Sequence, residues 1–227
     1  MNFPDPIFLF LLVCLTHVGR LCLSERKGHG SDTTVNQLKL FQSLFQERRN
    51  QHKTAIGTIT KLDYARQVKM IKIIAENAFQ VLEMSQVKLR EAGYIPGLDF
   101  PEDELLREAL SKTLENTVFM GEILLHFPDT THKVLQENKA WELLFTWGVF
   151  FASQSKFLDK STNTLIYLVS QELELAEKDP NYTNPYAKRA SQQRGSSSPS
   201  EASPESKKKK KKTFKKGPHL SRQFGDL

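Results

Sequence analysis

From Asp32 to Glu177 the apolar residues of this chain return at intervals of three and four, and glycine or proline stands near most of the interruptions. That spacing puts them on one face of an α-helix with 3.6 residues per turn, and no stretch shows the strict alternation of a strand. The expected architecture is all-α, a single helical bundle of about five to six helices.

A first amphipathic helix is expected from about Asp32 to Asn50, with Val35, Leu38, Phe41, Leu44 and Phe45 along one side and Asp32 or Thr33 as N-cap. A second runs from about Thr60 to Glu91 on Val68, Ile71, Ala75, Ala78, Phe79 and Leu82, with Gly57 marking the bend before it and Gly93 its end. The third, Phe100 to His126, opens with Pro101 in the first turn, followed by Glu102, Asp103 and Glu104, where the helix dipole favours negative charge. A short helix at Thr130 to Gln136 leads into the most hydrophobic stretch. There Trp141, Leu143, Leu144, Phe145, Trp147, Val149, Phe150 and Phe151 leave almost no polar side, which predicts a central, nearly enclosed helix. The last helix, Ser161 to Glu177, buries Leu165, Ile166, Leu168, Val169 and Leu173 before Pro180 and Pro185. A heptad drawn through Ile71, Ile74, Ala78 and Val81 fails at Gln67 and Ser85, so a long dimeric coiled coil is not expected.

The two ends differ from this middle. Ile7 to Val18 form an apolar run too short to span a bilayer comfortably, which reads as the core of a signal peptide over residues 1–24, although Met1 to Pro6 lack the usual positive charge. Cleavage after Ser24 would remove both Cys14 and Cys22, leaving no thiol for a disulfide, a metal or a nucleophile. Residues 25–187, the expected helical domain, hold 19 Lys plus Arg against 22 Asp plus Glu, a net of −3. The excess positive charge of the whole chain therefore lies in residues 188–227. Their Ser, Pro and Lys composition predicts disorder, and Lys207, Lys208, Lys209, Lys210, Lys211 and Lys212 form an unbroken basic tract. Such a tract suits acidic proteins, anionic headgroups or polyanions, or it is simply solvated. Behind a signal peptide, nucleic acid is the less expected partner.

No catalytic constellation emerges. His29, His52, His126, His132 and His219 remain after cleavage, none four residues from another in a helix, and they read as surface or inter-helix histidines. No phosphate loop, nucleophile elbow or zinc motif is present, so no enzyme activity, cofactor, metal or small-molecule substrate is expected. Trp141 and Trp147 read as core packing rather than a ligand pocket. Asn181-Tyr182-Thr183 is an N-glycosylation sequon in a proline-flanked segment, with Asn181 the acceptor.

Phe100-Pro101-Glu102-Asp103-Glu104, Glu115-Asn116-Thr117 with Phe119 and Gly121, Phe127-Pro128, Trp141-Glu142-Leu143-Leu144 and Trp147-Gly148 are similar to the coiled-coil domain-containing protein 134 family. So are Gln171-Glu172-Leu173, Glu177 to Asn181 with Asn184-Pro185, and Lys216-Gly217-Pro218 with Ser221-Arg222. The resemblance implies a lumenal or secreted, non-enzymatic protein. In the endoplasmic reticulum it would be an adaptor protecting maturing endoplasmin near the oligosaccharyltransferase. Outside, it would be a cytokine-like regulator that damps mitogen-activated kinase signalling. A nuclear adaptor using the lysine tract is the third expectation. The family's termini resemble the KDEL retrieval signal. Here Phe224, Gly225, Asp226 and Leu227 keep the leucine and an acidic neighbour but depart at the first two positions, so a KDEL-type receptor is an expected, weakened partner. The family's acceptor asparagine falls just after the tryptophan–glycine pair, where this chain has Ser153-Gln154-Ser155.

Overall fold

A computed structural model describes residues 30–177 and 179–186, with side chains from Thr34 onward. Six helices follow in order: α1 Gly30–Ile59, α2 Tyr64–Glu91, α3 Glu104–His126, α4 Pro128–Glu137, α5 Lys139–Ser153 and α6 Lys160–Glu172. No strand occurs among the described residues. The helix starts are set by side chains that capture otherwise unpaired backbone N–H groups. Asp63, Asp103 and Asp159 accept from Arg66 N (3.0 Å), Leu106 N (2.8 Å) and Thr162 N (2.9 Å), and Asn138 accepts from Ala140 N at 3.1 Å.

These caps move several expected boundaries. The third helix begins at Glu104, after Pro101 and Glu102, because Asp103 holds the extended backbone of an N-cap with ψ 130°. The second begins after Asp63 rather than at Thr60. Gly57 is not the bend. It lies on the exposed side of α1, where a glycine costs only modest helix propensity, and the helix continues to the buried Ile59. Gly93 does close α2, with φ +64°, in the left-handed region open to glycine. The last helix stops at Glu172 instead of Glu177, since Glu174 turns to φ +56° and Leu175 N donates back to Ser170 O at 2.9 Å.

α3 is the axis of the bundle and packs against all five other helices. Every residue from Thr113 to Leu125 is buried, including Glu115, Asn116 and Glu122. α1 and α6 run with α3 while α2 and α5 run against it. At one end Phe41 of α1 meets Phe100 and Phe157 (5.4 and 6.4 Å between centroids), and the α5 terminus meets Gly97. At the other, Asn184 beyond α6 donates to Leu125 O at 2.8 Å. Two glycines permit the close crossings. A Cβ on Gly148 would lie 2.5 Å from Thr117 Oγ1, and one on Gly121 would lie 2.8 Å from Val169 Cγ2.

The α2 stripe buries Ile71, Ala75, Ala78, Phe79 and Leu82 as expected, whereas Val68, also expected there, is only half-buried. The face expected for α1 is only partly right, because Val35 and Leu44 are exposed and the buried line runs Phe41, Phe45, Arg49, His52, Ile56, Ile59. α5 is not the enclosed helix. It lies on one side of α3, between α2 and α6, and its outer side faces solvent.

Candidate interaction surface

The strongest polar arrangement is the seam between α1 and α3. Arg49 Nη1 donates to Glu122 Oε1 at 2.8 Å, with each side chain only 5% exposed, and Arg48 Nε lies 3.6 Å from Glu115 Oε2. Between these pairs the His52 ring stacks on Phe119, with centroids 4.1 Å apart and planes at 15°. Burial, reinforced by the cations Arg48 and Arg49, pushes His52 down to about 3, so it is neutral at physiological pH. Burial raises Glu115 and Glu122, opposed by Arg48 and Arg49 respectively. His52 Nδ1 and Glu122 Oε2 are buried with no hydrogen-bond partner among the described residues. Acid, base and cation here face one another across packed helices, and the arrangement latches α1 to α3. The sequence signal for it was available: Arg49 and His52 continue the four-and-three register of Phe41 and Phe45 into Ile56 and Ile59.

The other expected groups are dispersed. His126 places Nδ1 2.9 Å from Glu122 O and packs against Tyr186, whereas His132 lies half-buried on α4. Among the described residues no three His, Cys, Asp or Glu side chains converge to hold a metal ion. Of the acidic run, Asp103 caps α3 while Glu102 and Glu104 point to solvent. Trp141 stacks on Phe79 at 5.3 Å and Trp147 lies 5.3 Å from Phe151, so both tryptophans pack against the core with part of each ring left open. Asn181 is exposed on a turn. The expected signal peptide, His29, His219, the basic tract Lys207–Lys212 and the retrieval-like Phe224–Leu227 lie outside the described residues.

The feature that sequence reasoning missed is the outer side of α5. Leu143 is 73% and Phe150 60% exposed, with Trp147 between them at the i+4 position, which aligns the three along one helix face. The loop after α2 lies beside the C-terminal end of α5. A Cβ on Gly97 would sit 3.7 Å from Gln154 O, Tyr94 packs 6.4 Å from Phe151, and Ile95 and Leu98 beside them are 61% and 44% exposed. No charged residue occurs from Leu143 to Ser155. Large apolar side chains exposed along one helix face are the kind of surface that marks interaction sites.

A family described as "ERK and JNK pathways, inhibitor" matches residues 26–221. Coiled-coil domain-containing protein 134 of Xenopus tropicalis is 36% identical over 186 residues, covering 80% of this chain and 79% of the relative. The Mus musculus protein of that name is 32% identical over 212 residues, covering 90% of this chain and 93% of the relative. No solved structure matches the chain. With similarity this extensive at both the family and the relative level, the chain belongs to the coiled-coil domain-containing protein 134 family.

Proposed function

We propose that this protein is a non-enzymatic, partner-binding regulator of the secretory pathway whose effect is to damp signalling through ERK and JNK. The description of the family that spans residues 26–221 supports the direction of the effect. The observation that carries the binding role is the charge-free apolar ridge of Leu143, Trp147 and Phe150 on an otherwise well-packed helix. Aromatic and aliphatic side chains of this kind are the usual anchors of protein interfaces, because their burial removes much apolar area from water at little entropic cost. The buried acid–base groups are engaged in holding α1, which supports a role without chemistry.

The experiment expresses the full chain in cells and follows phosphorylated ERK and JNK after stimulation. The wild type lowers both signals, and Leu143→Lys with Phe150→Lys loses the effect while retaining the wild-type melting temperature. A wild type that leaves both kinases unaffected refutes the function, and a folded double variant that still damps them refutes the surface. A retained adaptor for maturing endoplasmin is the second reading, favoured by Asp226 and Leu227 at the retrieval-like terminus. Co-precipitation of endoplasmin from the lumen, with no change in either kinase, selects it.

A further inference from the structure

The sequon is a motif that this function leaves unused, and its setting is specific. The sequence contains a single Asn-x-Ser/Thr triplet, Asn181-Tyr182-Thr183, with a residue other than proline both inside it and directly after it. The triplet lies on a turn whose backbone is held on its inner side. Asn181 N donates to Asp179 Oδ1 at 2.8 Å and Tyr182 N donates to Asp179 O at 2.8 Å. The Tyr182 hydroxyl reaches back to α6, 3.2 Å from Leu168 O and 2.9 Å from Glu172 Oε2. Three residues on, Asn184 pins the chain to Leu125 O at the end of α3. Tyr182 is thus the inward anchor, while Asn181 and Thr183 on either side of it are exposed. The Asn181 side chain takes no hydrogen bond from the described residues.

We infer that Asn181 carries an N-linked oligosaccharide, attached at the end of the bundle opposite the loop of Ile95 and Leu98. The inference rests on the secretory reading of the leader. The co-reactant is a lipid-diphosphate-linked oligosaccharide. The Asn181 amide nitrogen displaces the diphosphate from the sugar C1, so a C1–O bond breaks, a C1–N bond forms and one amide proton leaves to a base of the transferase. An exposed acceptor beside an anchored tyrosine lets the chain fold with the sugar in place, since the bonds that hold the turn to α6 run through Tyr182 and not through the Asn181 side chain. The location also leaves the apolar ridge near Phe150 unshielded.

The test expresses the full chain in mammalian cells and follows its mobility before and after peptide-N-glycosidase treatment, together with N-terminal sequencing. A glycosidase-sensitive form is expected that disappears in Asn181→Gln and in Thr183→Ala and persists in Thr183→Ser. Circular dichroism melting of Asn181→Gln is expected to match that of the deglycosylated wild type, which separates loss of the sugar from loss of the fold. A chain whose leader is removed but whose mobility no glycosidase changes overturns this inference alone. A chain that still begins at Met1 overturns the secretory reading and the glycan with it.

Discussion

Arg49 and His52 stand four and seven residues after Phe45, in positions where the register calls for apolar side chains. Each is kept by a partner on α3: Arg49 by the Glu122 carboxylate, His52 by the face of Phe119. Arg49→Ala would leave Glu122 buried without its cation, and we expect a loss of roughly 3–5 kcal/mol in denaturant unfolding. Arg49→Met combined with Glu122→Leu removes both charges and is expected to recover most of that loss, because two desolvation penalties vanish with the pair. His52 predicts a pH dependence. Its folded pKa is about 3 against an ordinary 6.5, so below pH 6.5 the unfolded chain takes up a proton that the folded chain refuses. Stability therefore falls as the pH drops through that window, by at most about 1.4 kcal/mol per pH unit from this group. The raised Glu115 and Glu122 act with the opposite sign, because the folded state binds their protons first. The contribution of His52 is the difference between the wild type and His52→Gln, measured by chemical denaturation between pH 7 and 5. An unchanged slope in the variant would assign the dependence to other groups.

Among the elements, α3 and α5 exchange the roles that composition suggests. The segment 141–151 is the more hydrophobic, yet α3 is surrounded by five helices and α5 by fewer, so Glu115, Asn116 and Glu122 are buried while Leu143 and Phe150 are open. Helix crossings depend on local shape as well as hydrophobicity, and Gly148 is the point where α5 approaches Thr117 most closely. Gly148→Ala gains helix propensity but forces its methyl group against Thr117 and Leu82, and a net loss of about 1–2 kcal/mol is expected in thermal unfolding. Asp103→Ala should lower stability by about 1 kcal/mol through the lost cap on α3. The two sides of α5 give a sharper contrast. Val149→Lys places a charge in the core and is expected to unfold the domain, whereas the adjacent Phe150→Lys is expected to leave the melting temperature within a few degrees of wild type.

At the scale of the molecule, the described bundle is mildly acidic while Lys207–Lys212 form a basic tract, and on the proposed secretory reading a retention assay tests what the tract contributes. If a KDEL-type retrieval receptor acts on this chain through Leu227 and the acidic Asp226, deletion of those two residues is expected to increase the amount of protein in the medium. Replacing Lys207–Lys212 with glutamine tests the rival account, in which a polycation is held by acidic lumenal partners and salt releases it. Escape of the glutamine chain alone would assign retention to charge, and equal secretion of all three would favour the secreted regulator. Much of the bundle was legible beforehand. The apolar period, the α2 stripe, the stop at Gly93 and the family-like segments around Phe100 and Trp147 are local patterns, and local backbone energetics set where a helix can run. Element ends were less legible, since Asp63 and Asp103 prevailed over the signals at Thr60 and Pro101 through hydrogen bonds that a periodic pattern does not encode. The sequence by itself determined that the chain is helical, that helices break at Gly93 and just before Pro128, and which family it belongs to. The tertiary structure alone decided which helix became the axis and which kept an apolar side in water. The physical reason is that hydrophobicity states how much surface seeks burial, whereas the number and closeness of neighbours decides which surface obtains it. For α3 those neighbours are five helices, of which α6 packs over Gly121 of α3 and α5 comes close to Thr117 through its own Gly148.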